Sequence, residues 1–332
     1  MVLVSHSSRF NAGSWAVYTF FVLSGYWIHQ MWTAKYARAA QPLQLFYGSR
    51  LLRILPLFWL INVGASFVLA AGLEARILEA PVPSWGGLHR VATNIFLLGY
   101  SYLPHRQSAL RVAWSLDVEL QFYLAFPFLL RLCTAKRTGP YCLAAVAAVC
   151  AAGLGIFLVP ANEPPGNLTF FGIFFLAGAV AAHRDWQPDG RLAALSALAT
   201  MGVLAACWCT PGGRLLFENA KHGGTATFTH LERSAQVALA VLSIPFALFT
   251  VRQPSDRRDR LLGELSFTVY LVHWPVMMVH SHYYEDVPPL QRVPSLAVAW
   301  AVIALLSWLV LRFFDQPLER RRRRWVAAHL PA

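Results

Sequence analysis

The sequence predicts an all-α protein, a polytopic bundle of about ten transmembrane helices. Of its 332 residues, 57% are hydrophobic and 13% are charged, whereas a soluble domain usually carries about 25% charged residues. The apolar residues form blocks of about 15–22, close to the roughly 20 that a helix needs to cross the hydrocarbon core. Because short polar loops separate the blocks, without an internal repeat or a long linker, we expect residues 1–332 to form one membrane domain with no appended soluble domain.

Nine apolar blocks are expected to span the membrane as helices, and the opening residues look like the end of a tenth. The nine blocks cover residues 15–33, 54–71, 113–131, 141–159, 168–183, 192–208, 234–251, 263–283 and 294–314. A shorter apolar run at 91–103 is expected to be re-entrant or interfacial, because it is too short to span. The first helix looks truncated, so we expect the natural start to lie upstream of Met1.

The basic residues indicate an orientation rather than nucleic-acid binding. The formal net charge is +12, and 19 of the 28 Lys and Arg residues fall on one predicted side of the membrane. Cytoplasmic loops of membrane proteins carry such an excess. We therefore expect the C-terminus to be cytoplasmic. The loops on this side cover residues 34–53, 131–140, 183–191 and 252–262, and the tail covers residues 312–332.

The five cysteines predict neither a disulfide framework nor a zinc site. All of them lie in or beside apolar blocks, without the paired spacing of metal ligands. We expect them to be packing residues, and we expect no metal site.

Two stretches near the start of the chain carry polar or small residues. His6 lies near the predicted membrane edge, where an imidazole can act as a general base at neutral pH. The alternative is an interfacial histidine without a role. Ser24 and Gly25 lie in an aromatic helix, where small residues favour close helix packing.

Arg50 and Arg53 form a possible anion site. They are three residues apart, so they share one helix face at the predicted cytoplasmic edge. Paired guanidinium groups bind phosphate or carboxylate through two hydrogen bonds each. The alternative is an ordinary basic flank of a membrane helix.

Two predicted helices carry polar stripes that should face the bundle interior, because polar groups exposed to lipid are costly. The alternative is polar contact between helices without a catalytic role. The first stripe contains Ser115, Glu119 and Tyr123, and the second contains Ser266, Tyr270 and His273.

Five segments, in this order, resemble acyltransferase family 3. No one motif is specific, but together they extend over almost the whole chain. One departure is that the arginine which the family has about ten residues before its first histidine would precede Met1. The segments are FFVLSGY at 20–26, RLLRILP at 50–56, WSLDVELQFY at 114–123, SFTVYLVHWP at 266–275 and FDQPLE at 314–319.

The resemblance implies a membrane O-acyltransferase of the bacterial inner membrane. Its donor would be an acyl-CoA, usually acetyl-CoA, and its acceptor a hydroxyl of a cell-envelope carbohydrate or another glycoside. His6 would be the base or acyl carrier, and Glu119 would orient it. By position, Tyr270 or His273 would stabilise the oxyanion, and Arg50 and Arg53 would bind the donor.

Two other classes of function remain open from the sequence. A proton-coupled secondary transporter of a small polar solute could use Glu119 and His273 as a relay, but such transporters usually contain inverted repeats, and the sequence shows none. A non-catalytic membrane subunit would not need polar residues ordered along interior faces.

Overall fold

The computed structural model describes residues 2–7, 11–73, 85–102, 109–158, 166–215, 217, 226–284, 287–288 and 290–330. Within these ranges the chain is helical with short connections and contains no strand, which confirms the all-α prediction. The helices are α1 Val2–Ser7, α2 Gly13–Ala34, α3 Pro42–Ala70, α4 Trp85–Phe96, α5 Trp114–Cys133, α6 Gly139–Leu158, α7 Leu168–His183, α8 Gly190–Cys209, α9 Pro211–Leu215, α10 Ala226–Thr250, α11 Arg257–Tyr284, α12 Val293–Val310 and α13 Gln316–Ala328.

Six of the described helices are long and apolar enough to cross a membrane. The helix α7 is apolar but shorter, and α2 and α5, of 22 and 20 residues, are not among the six. The predicted count of ten spans therefore stays a prediction. The helix α4 has 12 residues, too few to span a bilayer. The six segments are Pro42–Ala70, Gly139–Leu158, Gly190–Cys209, Leu231–Thr250, Arg257–Tyr284 and Val293–Ala328.

Several helices extend beyond their apolar blocks. The helix α3 begins at Pro42, so residues 42–53, expected in a loop, are helical. Proline suits the first turn of a helix, where its missing N–H is not needed. Arg50 and Arg53 consequently lie inside a helix, as expected from their spacing on one helix face.

The last long helix contains a π-helical turn. The turn covers Leu311–Asp315 between α12 and α13, so most of the expected tail is helical. Pro317 follows closely, and its ring nitrogen cannot donate the hydrogen bond of a regular α-helix. The wider turn therefore lies where the regular hydrogen-bond pattern is already interrupted.

The structure divides into two compact units, each built from two separate stretches of the chain. Unit 1 contains residues Met1–Ala37 and Phe122–Pro254, and unit 2 contains Arg38–Gln121 and Ser255–Ala332. The helix α5 begins in unit 2 and ends in unit 1. The expectation of one membrane domain stays a prediction.

The helices α2 and α7 of unit 1 pack closely through glycines. A Cβ added to Gly25 would collide with the carbonyl oxygen of Phe175, and one added to Gly178 would collide with that of Val22. Aromatic rings fill the rest of this interface, with Phe21 and Phe175 stacked at a centroid distance of 4.5 Å. The packing role expected for the Ser-Gly pair of α2 is confirmed for Gly25.

In unit 2, the carboxylate of Asp117 organises the segment before α5. Asp117 is fully buried and accepts hydrogen bonds from the backbone N–H of Gly99 at 3.0 Å and of Ser101 at 2.9 Å. It also accepts one from the Ser101 hydroxyl at 2.7 Å. Leu97 has φ 66° and Gly99 has φ 79°, a left-handed conformation that is unfavourable for leucine. The buried carboxylate stabilises this sharp turn, so the acid next to the predicted stripe has a structural role.

Candidate functional site

The start of α5 is joined to α11 by a short chain of hydrogen bonds within unit 2. Tyr270 donates its hydroxyl proton to the carbonyl oxygen of Val112 at 2.7 Å. The Ser115 hydroxyl lies 2.6 Å from the Tyr270 hydroxyl and 3.2 Å from the same carbonyl oxygen. Each hydroxyl has a single proton, and Tyr270 makes the shorter contact with the Val112 carbonyl, so we assign Ser115 as the donor to Tyr270. The structure therefore brings together two residues that belong to different predicted stripes.

His273 lies three residues after Tyr270 and is fully buried. Its Nδ1 atom is 3.1 Å from the carbonyl oxygen of Val269. A carbonyl oxygen can only accept, so Nδ1 carries a proton in this contact. The other nitrogen, Nε2, is then an acceptor in the neutral ring and a donor only in the imidazolium form.

Glu119 is buried one helical turn beyond Ser115, with 4% of its surface exposed. Its carboxylate is close enough to Tyr270 to act on the phenol electrostatically. Tyr123, at the next position of this stripe, is 4% exposed. These positions confirm that the first stripe faces the interior.

One member of the second stripe does not face the interior. Ser266 is exposed, and its hydroxyl donates to the carbonyl oxygen of Gly263 at 2.8 Å. Serine commonly satisfies its hydroxyl on the preceding turn of its own helix, so this side chain needs no buried partner. The fully buried hydroxyl on this part of α11 belongs to Thr268. The interior position expected for Ser266 was therefore wrong.

The two predicted donor-binding arginines are both held within unit 2. Arg50 is 6% exposed, and its guanidinium lies 6.0 Å from the ring centre of Phe46. Arg53 forms an ion pair with Asp315 at 3.2 Å and covers the ring of Phe267 at 5.2 Å. The side chain of Arg53 keeps 25% of its surface exposed, against 5% for Asp315.

The ion pair belongs to a charged network that motif spacing did not reveal. Arg322 of α13 binds both the Ser49 hydroxyl and the carboxylate of Glu319. Arg323 binds Glu319 at 2.6 Å, and Glu264 accepts a hydrogen bond from Gln316 at 3.1 Å. The run of arginines at 320–324 was the available signal, but the sequence alone did not show which acids it would meet.

The side chain of His6 lies outside the described residues. The backbone of His6 belongs to α1, and the preceding residue, Ser5, is 2% exposed. Among the residues that the structure describes, no three His, Cys, Asp or Glu side chains gather as ligands for a metal ion.

Comparison with known proteins identifies the family. The chain matches the acyltransferase domain of acyltransferase family 3 over residues 1–312. Nodulation protein 10 of Rhizobium leguminosarum bv. viciae is 26% identical over 344 residues, which cover 94% of this chain and 83% of that protein. The O-acetyltransferase OatA of Staphylococcus aureus (strain NCTC 8325 / PS 47) is 24% identical over 333 residues, which cover 94% of this chain.

This chain spans 53% of the length of the Staphylococcus aureus relative. No solved structure matches the chain. The match to the acyltransferase domain covers four of the five motif segments, and the fifth, at residues 314–319, lies beyond its end. The chain therefore belongs to acyltransferase family 3.

Proposed function

We propose that this chain transfers an acyl group, with acetyl as the expected group, from acyl-CoA to a hydroxyl of a carbohydrate or another glycoside. Membership of an acyltransferase family supports acyl transfer. The name of the Staphylococcus aureus relative, O-acetyltransferase, supports acetyl as the group and oxygen as the acceptor atom. The observation that carries the proposal is the buried polar group on α5 and α11, because polar side chains inside membrane helices usually mark function.

The proposed reaction is an attack of the acceptor hydroxyl oxygen on the thioester carbonyl carbon. His6 takes the hydroxyl proton in this attack. In the alternative course, the His6 imidazole first attacks the thioester and displaces the thiolate, and the acceptor hydroxyl then attacks the acyl-imidazole and gives its proton to the released ring. The carbon–sulfur bond breaks, and the coenzyme A thiolate leaves and takes up a proton. Glu119 stabilises the positive charge that develops on an imidazole during proton transfer.

The hydrogen bonds of unit 2 favour different roles for Tyr270 and His273. The single proton of Tyr270 already binds the carbonyl oxygen of Val112, so we assign Tyr270 mainly to holding the start of α5. His273 would stabilise an oxyanion only in its imidazolium form, through a second N–H at Nε2, and burial makes that charged form costly. Both residues would then act on the attack at the thioester, Tyr270 by holding the start of α5 and His273 by its positive charge.

The donor phosphates are assigned to the basic end of α3. Arg50 and Arg53 follow one another by one helical turn, and exposed arginines of α13 add positive charge to the same unit. A phosphate that reaches Arg53 must compete with Asp315. We place this end in the cytoplasm of a bacterial inner membrane, because 19 of the 28 basic residues fall on that predicted side.

The first experiment replaces His6 by alanine in the full-length protein. Membrane vesicles are supplied with radiolabelled acetyl-CoA and the host's envelope carbohydrate, and the base-labile ester formed is counted. We expect His6→Ala to lower the rate by at least about 10²–10⁴, the usual contribution of a general base. We expect His273→Ala to slow transfer without abolishing it. Near-normal transfer by His6→Ala together with an inactive His273→Ala would move the catalytic base to α11.

A second experiment tests the donor site. The double replacement Arg50→Ala and Arg53→Ala should weaken acetyl-CoA binding, because each lost charge-assisted hydrogen bond costs about 1.5–3 kcal/mol. Arg38→Ala is the control, since it removes one arginine from an exposed position just before α3. Equal acetyl-CoA affinity of the double variant and the control in a titration of purified protein would rule out this donor site.

A further inference from the structure

A polar network in unit 1 connects the start of α2 with α10. Asn11, which precedes α2, donates from its side-chain amide to the carboxylate of Glu232. The side-chain amide of Gln236 donates to the carbonyl oxygen of Asn11 at 2.6 Å. Glu232 and Gln236 are four residues apart, so they share one face of α10. Two side chains of one helix thus hold a single residue of the segment before α2.

Gln236 also completes the first turn of α2. The first N–H groups of a helix have no partner within it, and Ala12, at the N-cap, supplies no side-chain hydrogen bond. The side-chain oxygen of Gln236 accepts a hydrogen bond from the backbone N–H of Trp15 at 2.7 Å. Since Gln236 is 1% exposed, water does not replace this contact readily.

The same segment fixes the helix that carries His6. The hydroxyl of Ser5 donates to the side-chain oxygen of Asn11 at 2.9 Å. A Cβ added to Gly13 would lie 3.1 Å from that hydroxyl oxygen and 3.2 Å from the Cβ of Ser5. The two helices therefore pack tightly at Ser5. Adjacent residues of an α-helix differ by about 100° around its axis, so holding Ser5 fixes the rotation of α1 about that axis.

We infer that Glu232 and Gln236 are positioning residues for His6, and that they act through Asn11 and Ser5. The inference rests on the proposed catalytic role of His6. Neither residue lies in a segment of the sequence that resembles the family motifs. The chemistry they serve is the alignment of the imidazole with the acceptor hydroxyl, where a displacement of about 1 Å can reduce the rate 10²-fold.

The test compares Gln236→Leu and Glu232→Leu with wild type in the full-length protein. Both variants should lower the transfer rate at saturating acetyl-CoA by about 10–100-fold, while the KM for acetyl-CoA stays close to wild type. The pH dependence that His6 gives to the rate should persist at a lower plateau, since the imidazole is displaced but present. Glu232→Gln should restore much of the rate lost in Glu232→Leu, because the amide oxygen can still accept from Asn11.

Ser243→Ala is the matched control on the same face of α10. Ser243 accepts a hydrogen bond from the indole of Trp15 at 3.1 Å and lies 3.1 Å from the Thr19 hydroxyl. It therefore supports the same pair of helices without touching Asn11. The thermal unfolding midpoints of the two leucine variants and of Ser243→Ala in detergent show whether a lost rate merely reflects lost stability.

Gly13→Ala is a further variant, which removes no hydrogen-bonding group and displaces Ser5 directly. It should lower the transfer rate in the same way, and it keeps the test decisive if the leucine variants fail to fold. An inactive His6→Ala combined with leucine variants no slower than Ser243→Ala would overturn the positioning inference alone. Normal transfer by His6→Ala would overturn the proposed function and this inference together.

Discussion

Two helix contacts in this protein are built from different kinds of residue. The contact between α2 and α7 joins glycines and aromatic rings, with Tyr18 stacked on Phe174 at 5.0 Å. The contact between the start of α5 and α11 is made by the hydroxyls of Ser115 and Tyr270. In the first contact a side chain of the wrong size meets backbone atoms, and in the second a missing hydroxyl removes one hydrogen bond.

The first contact depends on the size of the side chains, and the second depends on their hydrogen bonds. Within a membrane, helices gain little from burying apolar surface, so close backbone approach at small residues drives their association. Polar contacts are worth less to stability on average, at about 0.6 kcal/mol each. We therefore expect the glycine contact to determine whether unit 1 folds, and the hydroxyl contact to determine how well the protein works.

The largest effect should follow from Gly178→Leu. The added side chain meets the carbonyl oxygen of Val22, which no rotamer change can move, so the loss should exceed the about 1–3 kcal/mol typical of overpacking. The yield of monodisperse protein in size-exclusion chromatography shows whether the variant still folds. Gly155→Leu is the control, because a Cβ added there has no atom within 4 Å. Equal yields of the two variants would remove the contrast between the contacts.

An intermediate effect is expected from Tyr270→Phe. The carbonyl oxygen of Val112 loses one donor, but the hydroxyl of Ser115 remains 3.2 Å away, so the stability loss should be about 0.5–1.5 kcal/mol. Transfer should fall by more than this loss of folded protein explains. Thermal unfolding and transfer rate, measured on the same preparation, separate the two. Full activity with reduced stability would make this hydroxyl a structural contact like the glycines.

The smallest effect is expected from Ser266→Ala. This hydroxyl is exposed and bonds only within its own helix in the described structure, and surface substitutions usually change stability by less than about 0.5 kcal/mol. Thermal unfolding and transfer should both match wild type. A clear loss of activity would indicate that the exposed face of α11 takes part in binding.

Hydropathy predicted the helices well where apolar length defines them. The block expected at 168–183 coincides with α7, because Asn167 starts the helix by accepting a hydrogen bond from the N–H of Phe170 at 3.1 Å. The start of α3 could not be predicted in this way, since residues 42–53 mix polar and apolar side chains. A helix that extends beyond its apolar block leaves no signal in hydropathy.

Helical spacing predicted parts of the candidate site but not its contacts. It placed Ser115 and Glu119 on an interior face, which the structure confirms. It could not show that Ser115 meets Tyr270, or that Asp315 pairs with Arg53, because these partners are 155 and 262 residues apart in the chain. Spacing describes one helix at a time, whereas each of these contacts depends on how two helices pack.

The π-helical turn at Leu311–Asp315 determines which way the side chains of α13 face around the helix axis. A turn of this kind holds one residue more than an α-helical turn, so the residues after it are rotated by about 100° relative to an uninterrupted α-helix. Deleting one exposed residue here, such as Phe313, would restore the regular pattern and turn Arg322 away from Ser49. The turn thus behaves as a single-residue insertion that sets the register of α13. Insertions and deletions here should be tolerated far less well than the exposure of Phe313 suggests.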